Sequence, residues 1–176
     1  MTHRSLFRAL DVAGGDGRLS KSFLVEQYLT VDHFDQCPTA VRKAREALLR
    51  HARFGYSKQS TMQDFDWQFE YSGIFLVWVA GYLGDTALVN FLRKAKTKLI
   101  PGRFRATRQE KPESFIIVLD NIIEVDADAA LVKSQRLRTE AKLEALFEQA
   151  GLLIHRKTDR ESMPGNHCDV VAWALF

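Results

Sequence analysis

The chain has 176 residues, of which 46% are hydrophobic and 27% are charged, and its formal net charge is +3. This composition excludes a disordered or fibrous chain, and the length suits one domain with a substantial core, so we treat residues 1–176 as a single domain. No apolar run reaches the ~18 residues that a membrane-spanning helix needs. The two cysteines and five scattered histidines lack metal-ligand spacing, which predicts free thiols and no metal site. A glycine turn follows the start so closely that we expect no cleavable targeting peptide.

Residues 9–35 form the first recognisable unit. Residues 9–12 are an apolar run that predicts a strand, residues 13–18 a glycine-rich turn, residues 19–29 an amphipathic helix, and residues 30–34 a second strand. Gly15 and Gly17 allow positive φ and let a ligand approach the backbone. Asp35 lies 18 residues after Gly17, a spacing that suits an acid binding two ribose hydroxyls. The unit predicts a nucleotide-like cofactor site; the alternative is a purely structural turn.

The turn itself narrows the choice of cofactor. A dinucleotide fingerprint carries a third glycine for tight helix–strand packing, whereas the sequence here is AGGDGR, with Arg18 directly after Gly17. The pattern resembles motif I of the class I S-adenosylmethionine-dependent methyltransferases. A guanidinium binds a carboxylate well, so Arg18 is the candidate for holding the carboxylate of the methionine part.

Strand and helix patterns continue to alternate along the rest of the chain. We predict a helix at 38–50, a weak strand at 54–61, a doubly buried strand at 73–80, a helix at 85–99 with Asp85 as its N-cap, a strand at 114–119, a helix at 131–149, and a closing hairpin of 152–157 with 169–175. The predicted fold class is α/β: a Rossmann-like class I methyltransferase domain, with a seven-strand, mostly parallel sheet and an antiparallel C-terminal hairpin.

Basic residues concentrate in one stretch. Residues 91–112 contain eight Lys/Arg, among them Arg103, Arg105 and Arg108, against the single acid Glu110. Such a patch suits nucleic acid or an acidic partner; the alternative is a solvated helix face and loop. Aromatic residues interleave with the basic loop only at Phe104, which favours the solvated face and loop over a nucleic-acid surface.

Three later motifs make the resemblance more specific. Residues 62–65 read MQDF, residues 77–83 read VWVAGYL, and residues 118–121 read VLDN. In this order and spacing they resemble the protein α-N-terminal methyltransferases. That resemblance implies transfer of methyl groups from S-adenosyl-L-methionine to the free α-amine of proteins that begin Xaa-Pro-Lys.

The resemblance also implies roles for individual residues. The cofactor would contact Ala13, Gly15, Gly17 and Arg18 through its methionine part, Asp35 through its ribose, and Met62 and Gln63 through its adenine. Trp78 and Tyr82 would line the peptide channel, with Trp78 against the substrate proline. Asn121 would hydrogen-bond the substrate backbone near the reacting amine.

The sequence departs from the family pattern at several positions. Val77 replaces a cofactor-contacting glutamine, Tyr82 replaces a histidine, and Ala130 and Lys133 stand where two substrate-handling aspartates are expected. The proton acceptor is predicted to be a carboxylate or an imidazole near Asn121. The candidate carboxylates are Asp120, Glu124, Asp126 and Asp128. For the acids after Asn121, the alternative is an acidic linker that caps the next helix.

The family carries helices ahead of motif I that cover the cofactor, whereas only eight residues precede the motif here. We expect a protein partner to supply that wall; a partial sequence and a decayed site are the alternatives. The second functional hypothesis is an inactive methyltransferase-like scaffold or assembly factor in a larger complex, with RNA as one candidate component. We expect a cytoplasmic or nuclear location, with the mitochondrial matrix as the alternative, and no membrane association.

Overall fold

The computed structural model describes residues 6–101, 114–124, 131–132, 135–162 and 168–176. Its strands are β1 (Leu6–Val12), β2 (Tyr28–Asp35), β3 (Phe54–Gln59), β4 (Gly73–Val77), β5 (Phe115–Ile122), β6 (Leu131–Val132), β7 (Gln135–Arg136), β8 (Ile154–Lys157), β9 (Glu161–Ser162) and β10 (Asp169–Leu175). Its α-helices are α1 (Val25–Gln27), α2 (Pro38–Leu48), α3 (Asp85–Lys96) and α4 (Glu140–Gln149). A π-helical segment, Ser20–Leu24, leads into α1, and a 3₁₀ turn, Ala80–Tyr82, follows β4.

The main sheet confirms the predicted α/β class. Its strands run in the order β3–β2–β1–β4–β5–β10–β8, and β9 adds an eighth strand beside β10. Neighbours from β3 to β5 are parallel, whereas β10 is antiparallel to both β5 and β8. The order reverses between β1 and β4, which is the point where open α/β sheets bind ligands at the carboxyl ends of their strands.

Helices pack on both faces of the sheet. Val41, Ala44 and Leu48 form the buried stripe of α2, and Pro38 begins that helix at a position where its missing N–H costs nothing. On the opposite face, α3 and α4 bury apolar side chains in the larger core cluster. No helix in the described ranges is long and apolar enough to cross a membrane.

The connection between β3 and β4, residues 60–72, contains no helix, and every residue in it is described. Aromatic packing covers this part of the sheet instead. Phe65 stacks on Phe34 of β2 with ring centroids 4.0 Å apart, and Trp67 meets the edge of Phe65 at 5.1 Å.

Several predicted boundaries were wrong. Tyr28 and Leu29 belong to β2 rather than to the preceding helix, because the Tyr28 ring packs edge-on against Phe75 of β4 at 5.8 Å. Residues 131–132 and 135–136 form β6 and β7 instead of helix. The helix α4 begins only at Glu140, after the Thr139 hydroxyl caps it by accepting the N–H of Lys142.

Two further boundaries differ near the candidate site. The N-cap of α3 is Gly84, and Asp85 is the first helical residue, with its carboxylate bound to Arg138. Strand β5 runs on to Ile122, so Asp120 and Asn121 lie within the strand rather than after it. Asp120 is consequently buried between the sheet and the loop that follows β4.

Candidate cofactor and substrate site

A cavity of about 800 Å³ opens at the carboxyl ends of β1, β2 and β4. It is lined by Asp11, Ala13, Gly14, Gly15, Asp16, Arg18, Leu19, Ser22, Asp35, Gln36, Ser60, Met62, Gln63, Val77, Trp78, Val79, Tyr82 and Leu83. Eight predicted site residues are therefore brought together: Ala13, Gly15, Arg18, Asp35, Met62, Gln63, Trp78 and Tyr82. They come from four connections that are distant in sequence, as the parallel sheet requires.

The glycine turn has the conformation that its composition predicts. Ala13 has φ 49°, Gly15 has φ 59° and Gly17 has φ 76°. A Cβ added at Gly15 would meet no atom within 4 Å, so open space lies beside this backbone. At Gly17 the same Cβ would lie 3.0 Å from Cβ of Ala44 in α2. Gly17 therefore permits close helix packing and does not line the cavity, whereas Gly15 faces it.

Asp35 lies at the end of β2, where the spacing places it. Its side chain is 9% exposed, and its Oδ2 accepts the N–H of Gly15 at 2.9 Å while its Oδ1 accepts the N–H of Cys37 at 2.8 Å. Each carboxylate oxygen has a second lone pair, so both can still accept a ligand hydroxyl. Asp35 thus joins the turn to β2 and presents acceptors to the cavity.

Asp11 also lines the cavity, although the sequence analysis did not select it. It is 2% exposed, and its Oδ2 accepts the Ser20 hydroxyl at 2.6 Å. Burial raises the pKa of the Asp11 carboxyl, and the hydrogen bond from Ser20 acts in the opposite direction. An acid inside the apolar run before a glycine turn was the signal that could have identified it.

Arg18 does reach the cavity, but its guanidinium is not buried. The side chain is 86% exposed, and its Nη2 lies 3.7 Å from Oδ2 of Asp16. Such an exposed ion pair holds a side chain weakly. The arginine is free to swing toward a carboxylate at the cavity mouth.

The second wall of the cavity follows β4 and ends in two exposed aromatic rings. Trp78 is 41% exposed and Tyr82 is 57% exposed, although both are large hydrophobic side chains. Trp78 has φ 56°, a left-handed conformation that is energetically unfavourable for any residue other than glycine. Its backbone N–H donates to the carbonyl oxygen of Leu119 at 2.8 Å. Strain at an exposed ring beside a cavity is a feature of ligand-binding positions.

Two buried charged residues hold this loop in place. Oδ2 of Asp120 accepts the N–H of Gly81 at 3.2 Å, and its Oδ1 accepts the N–H of Asn121 at 2.8 Å. Arg138 is 3% exposed and donates to the carbonyl oxygens of Ala80 at 3.0 Å and Leu83 at 2.5 Å.

Burial raises the pKa of the Asp120 carboxyl, and the two backbone N–H groups act in the opposite direction. Asp120 was selected by sequence as a proton-acceptor candidate. In the structure its oxygens face the backbone of the loop, and neither Asp120 nor Asn121 is among the residues that line the cavity.

The remaining candidates fall outside the described ranges, except Glu124, which is exposed and does not line the cavity. Asp126 and Asp128 lie outside these ranges, as do Arg103, Arg105 and Arg108 of the basic stretch, so their roles stay predictions. Within the described ranges, no group of His, Cys, Asp and Glu has the arrangement of a metal site.

The residues that line the cavity fit S-adenosylmethionine. An open backbone at Gly15, the acceptors of Asp35 and the exposed guanidinium of Arg18 match the polar groups of its methionine and ribose parts. Met62, 8% exposed, and Gln63 provide an apolar surface and an amide for a base.

Comparisons with known proteins agree with this geometry. The model of a family described as AdoMet dependent proline di-methyltransferase matches residues 1–176. N-terminal Xaa-Pro-Lys N-methyltransferase 1 of Danio rerio is 32% identical over 169 residues, which cover 95% of this chain and 71% of that protein. Alpha N-terminal protein methyltransferase 1 of Drosophila melanogaster is 28% identical over 160 residues, and the chain spans only 54% of its length.

Among solved structures, a SAM-dependent methyltransferase of Leishmania major superposes with a TM-score of 0.81 at 21% identity. The match covers 100% of this chain and 67% of that one. At this identity the likeness establishes the fold.

Proposed function

This chain belongs to the family of AdoMet-dependent proline di-methyltransferases, and we propose that it methylates the free α-amine of proteins that begin Xaa-Pro-Lys. One observation carries the proposal. A single cavity joins a glycine turn and the carboxylate of Asp35 on one side to two exposed aromatic rings on the other.

S-adenosylmethionine supplies an already activated methyl group, so the protein needs only to bind, align and remove a proton. Gly15, Arg18 and Asp35 would hold the methionine and ribose parts, and Met62 and Gln63 would hold the adenine. The family resemblance implies these assignments, and all five residues line the cavity.

The acceptor side is assigned to the loop after β4. The exposed ring of Trp78 offers a flat apolar surface on which a proline ring can pack, and Tyr82 offers a second surface four residues later. An α-amine must lose its proton before it can attack a methyl group, and the carboxylates of Asp126 and Asp128 are the proposed acceptors.

The relatives named above are methyltransferases, and they give no support to the alternative of an inactive scaffold. The distinction is experimental: a scaffold would leave a suitable peptide unmodified even when its cofactor is bound.

The test is a methylation assay on a synthetic peptide that begins Xaa-Pro-Lys, read by mass spectrometry. We expect stepwise addition of methyl groups to the free peptide and none to the same peptide with an acetylated N-terminus. A Trp78→Ala variant should raise KM for the peptide more than it lowers kcat. Tight cofactor binding without any methylation would refute the proposal.

A further inference from the structure

His33 lies directly beneath the glycine turn and has no part in the roles assigned so far. It is a β2 residue with 0% exposure, two positions before Asp35. Its Nδ1 lies 2.8 Å from the Ser57 hydroxyl oxygen of β3, and its Nε2 lies 3.1 Å from the carbonyl oxygen of Gly15. A buried imidazole therefore connects the neighbouring strand to the backbone of the turn.

These two contacts define one form of the neutral ring. The carbonyl oxygen of Gly15 only accepts hydrogen bonds, so Nε2 must carry the proton and donate it. Nδ1 then has a lone pair, and the Ser57 hydroxyl donates to it. Ser57 is 4% exposed, so neither group has solvent as an easy alternative. This tautomer satisfies both buried groups.

The contacts also fix the peptide that follows Gly15. Asp35 accepts the N–H of Gly15, His33 donates to its carbonyl, and the N–H of Gly14 donates to the carbonyl of Phe34 at 3.1 Å. In a planar trans peptide, the next N–H points opposite to the carbonyl. With the Gly15 carbonyl directed at His33, the N–H of Asp16 is turned away from the interior, and Asp16 is a cavity-lining residue.

We propose that His33 is a positioning residue for the cofactor: it orients the Gly15–Asp16 peptide so that the turn binds S-adenosylmethionine. His33 does not line the cavity, and it acts only through Gly15. The proposal depends on the family cofactor but not on the identity of the methyl acceptor. Measured cofactor binding can therefore fail or succeed separately from peptide methylation.

Two substitutions of His33 distinguish the effect of losing the hydrogen bond to Gly15 from the effect of changing the side-chain volume. In His33→Gln, the amide nitrogen takes roughly the place of Nε2 and can still donate to Gly15. In His33→Asn, the shorter amide reaches only the place of Nδ1 and leaves the Gly15 carbonyl without its donor. His51→Gln, at a half-exposed histidine between α2 and β3, is the matched control.

Isothermal calorimetry with S-adenosylmethionine gives the decisive comparison. We expect His33→Asn to weaken binding about tenfold, the effect of one lost hydrogen bond, and His33→Gln and His51→Gln to stay within about threefold of the parent protein. At saturating cofactor, KM for the peptide should be unchanged in all three. Equal loss in the Asn and Gln variants, or loss in neither, would overturn the proposal.

A measurement on the unsubstituted protein covers the case in which a variant does not fold. Long-range ¹H–¹⁵N correlation spectra of histidine-labelled protein at neutral pH should show His33 protonated at Nε2 and bare at Nδ1. Addition of S-adenosylmethionine should shift these ring signals and leave those of His51 in place. A proton on Nδ1 alone, or ring signals that do not shift when the cofactor is added, would refute the positioning role of His33.

Discussion

The two walls of the cavity are built in different ways. The wall formed by the glycine turn is made of backbone, and its supports, Asp35 and His33, lie within 20 residues of Gly15. The wall formed by the loop after β4 is made of side chains, and its supports, Asp120 and Arg138, lie 39 and more than 50 residues away. The first wall depends on a compact sequence motif, whereas the second depends on the completed sheet.

The largest effect should come from breaking the first wall. Asp35→Ala removes the acceptor of two backbone N–H groups and the proposed acceptor of the ribose hydroxyls, so we expect S-adenosylmethionine binding to weaken about 100-fold. Calorimetry measures this directly. Asp159→Ala, at an exposed acid between β8 and β9, is the control. A ribose role for Asp35 would be excluded by a change of less than about threefold.

Arg138→Lys should disrupt the wall formed by the loop after β4 and leave the wall formed by the glycine turn intact. An ammonium cannot reproduce the fork that binds Ala80, Leu83 and Asp85, so we expect about 2 kcal/mol less stability and about tenfold weaker peptide binding. Cofactor affinity should stay within about threefold. Urea unfolding and the two binding constants measure these effects.

The exposed neighbour Arg136 provides the matched Arg→Lys control. If Arg138→Lys lowered cofactor and peptide affinity equally, the two walls would not be independent.

A smaller effect should come from the backbone strain at Trp78. Trp78→Ala and Trp78→Gly both remove the ring, so both should weaken peptide binding. Only glycine adopts φ 56° without a steric cost, and we expect the Gly variant to be about 1 kcal/mol more stable than the Ala variant. Thermal or urea unfolding compares them. Equal stability would mean that the loop relaxes once the ring is gone.

The smallest effect concerns Asp32, which lies on β2 but outside both walls. It is 0% exposed, its Oδ2 accepts from Arg8 Nη1 at 2.6 Å, and its Oδ1 has no partner among the described residues. Burial raises the pKa of this carboxyl above 3.8, against the effect of Arg8. Between 3.8 and the raised value the native state binds more protons than the unfolded state, so the unfolding free energy falls as pH rises.

Asp32→Asn should remove this dependence of the unfolding free energy on pH. Urea unfolding at several pH values, from the ordinary aspartate pKa upward, measures it. Asp159→Asn should keep the parent slope. If the unfolding free energy of Asp32→Asn fell with pH as steeply as that of the parent protein, another carboxyl would be responsible for the dependence.

The contrast between the walls explains what the sequence could predict. Gly15 and Asp35 are recognisable because spacing along one strand–helix–strand unit fixes their separation in space. Nothing local marks Arg138, since its partners lie in a loop more than 50 residues earlier. His33 carries no motif, because its role arises from the register that places it beside Ser57 of β3. The fold followed from alternating patterns, whereas α4 begins only at Glu140 because residues 131–132 and 135–136 pair with each other locally as β6 and β7.

In the helix-free connection at residues 60–72, packed aromatic rings rather than regular main-chain hydrogen bonds hold the segment in place. Its amides lack the repeating bonds that protect a helix from deuterium exchange, while Phe65 stays 4% exposed against Phe34. Met62 and Gln63 lie in the same connection and also line the cavity. Binding of adenine at Met62 and Gln63 should therefore slow deuterium exchange in residues 60–72 first. Exchange in this segment would report whether the cofactor is bound.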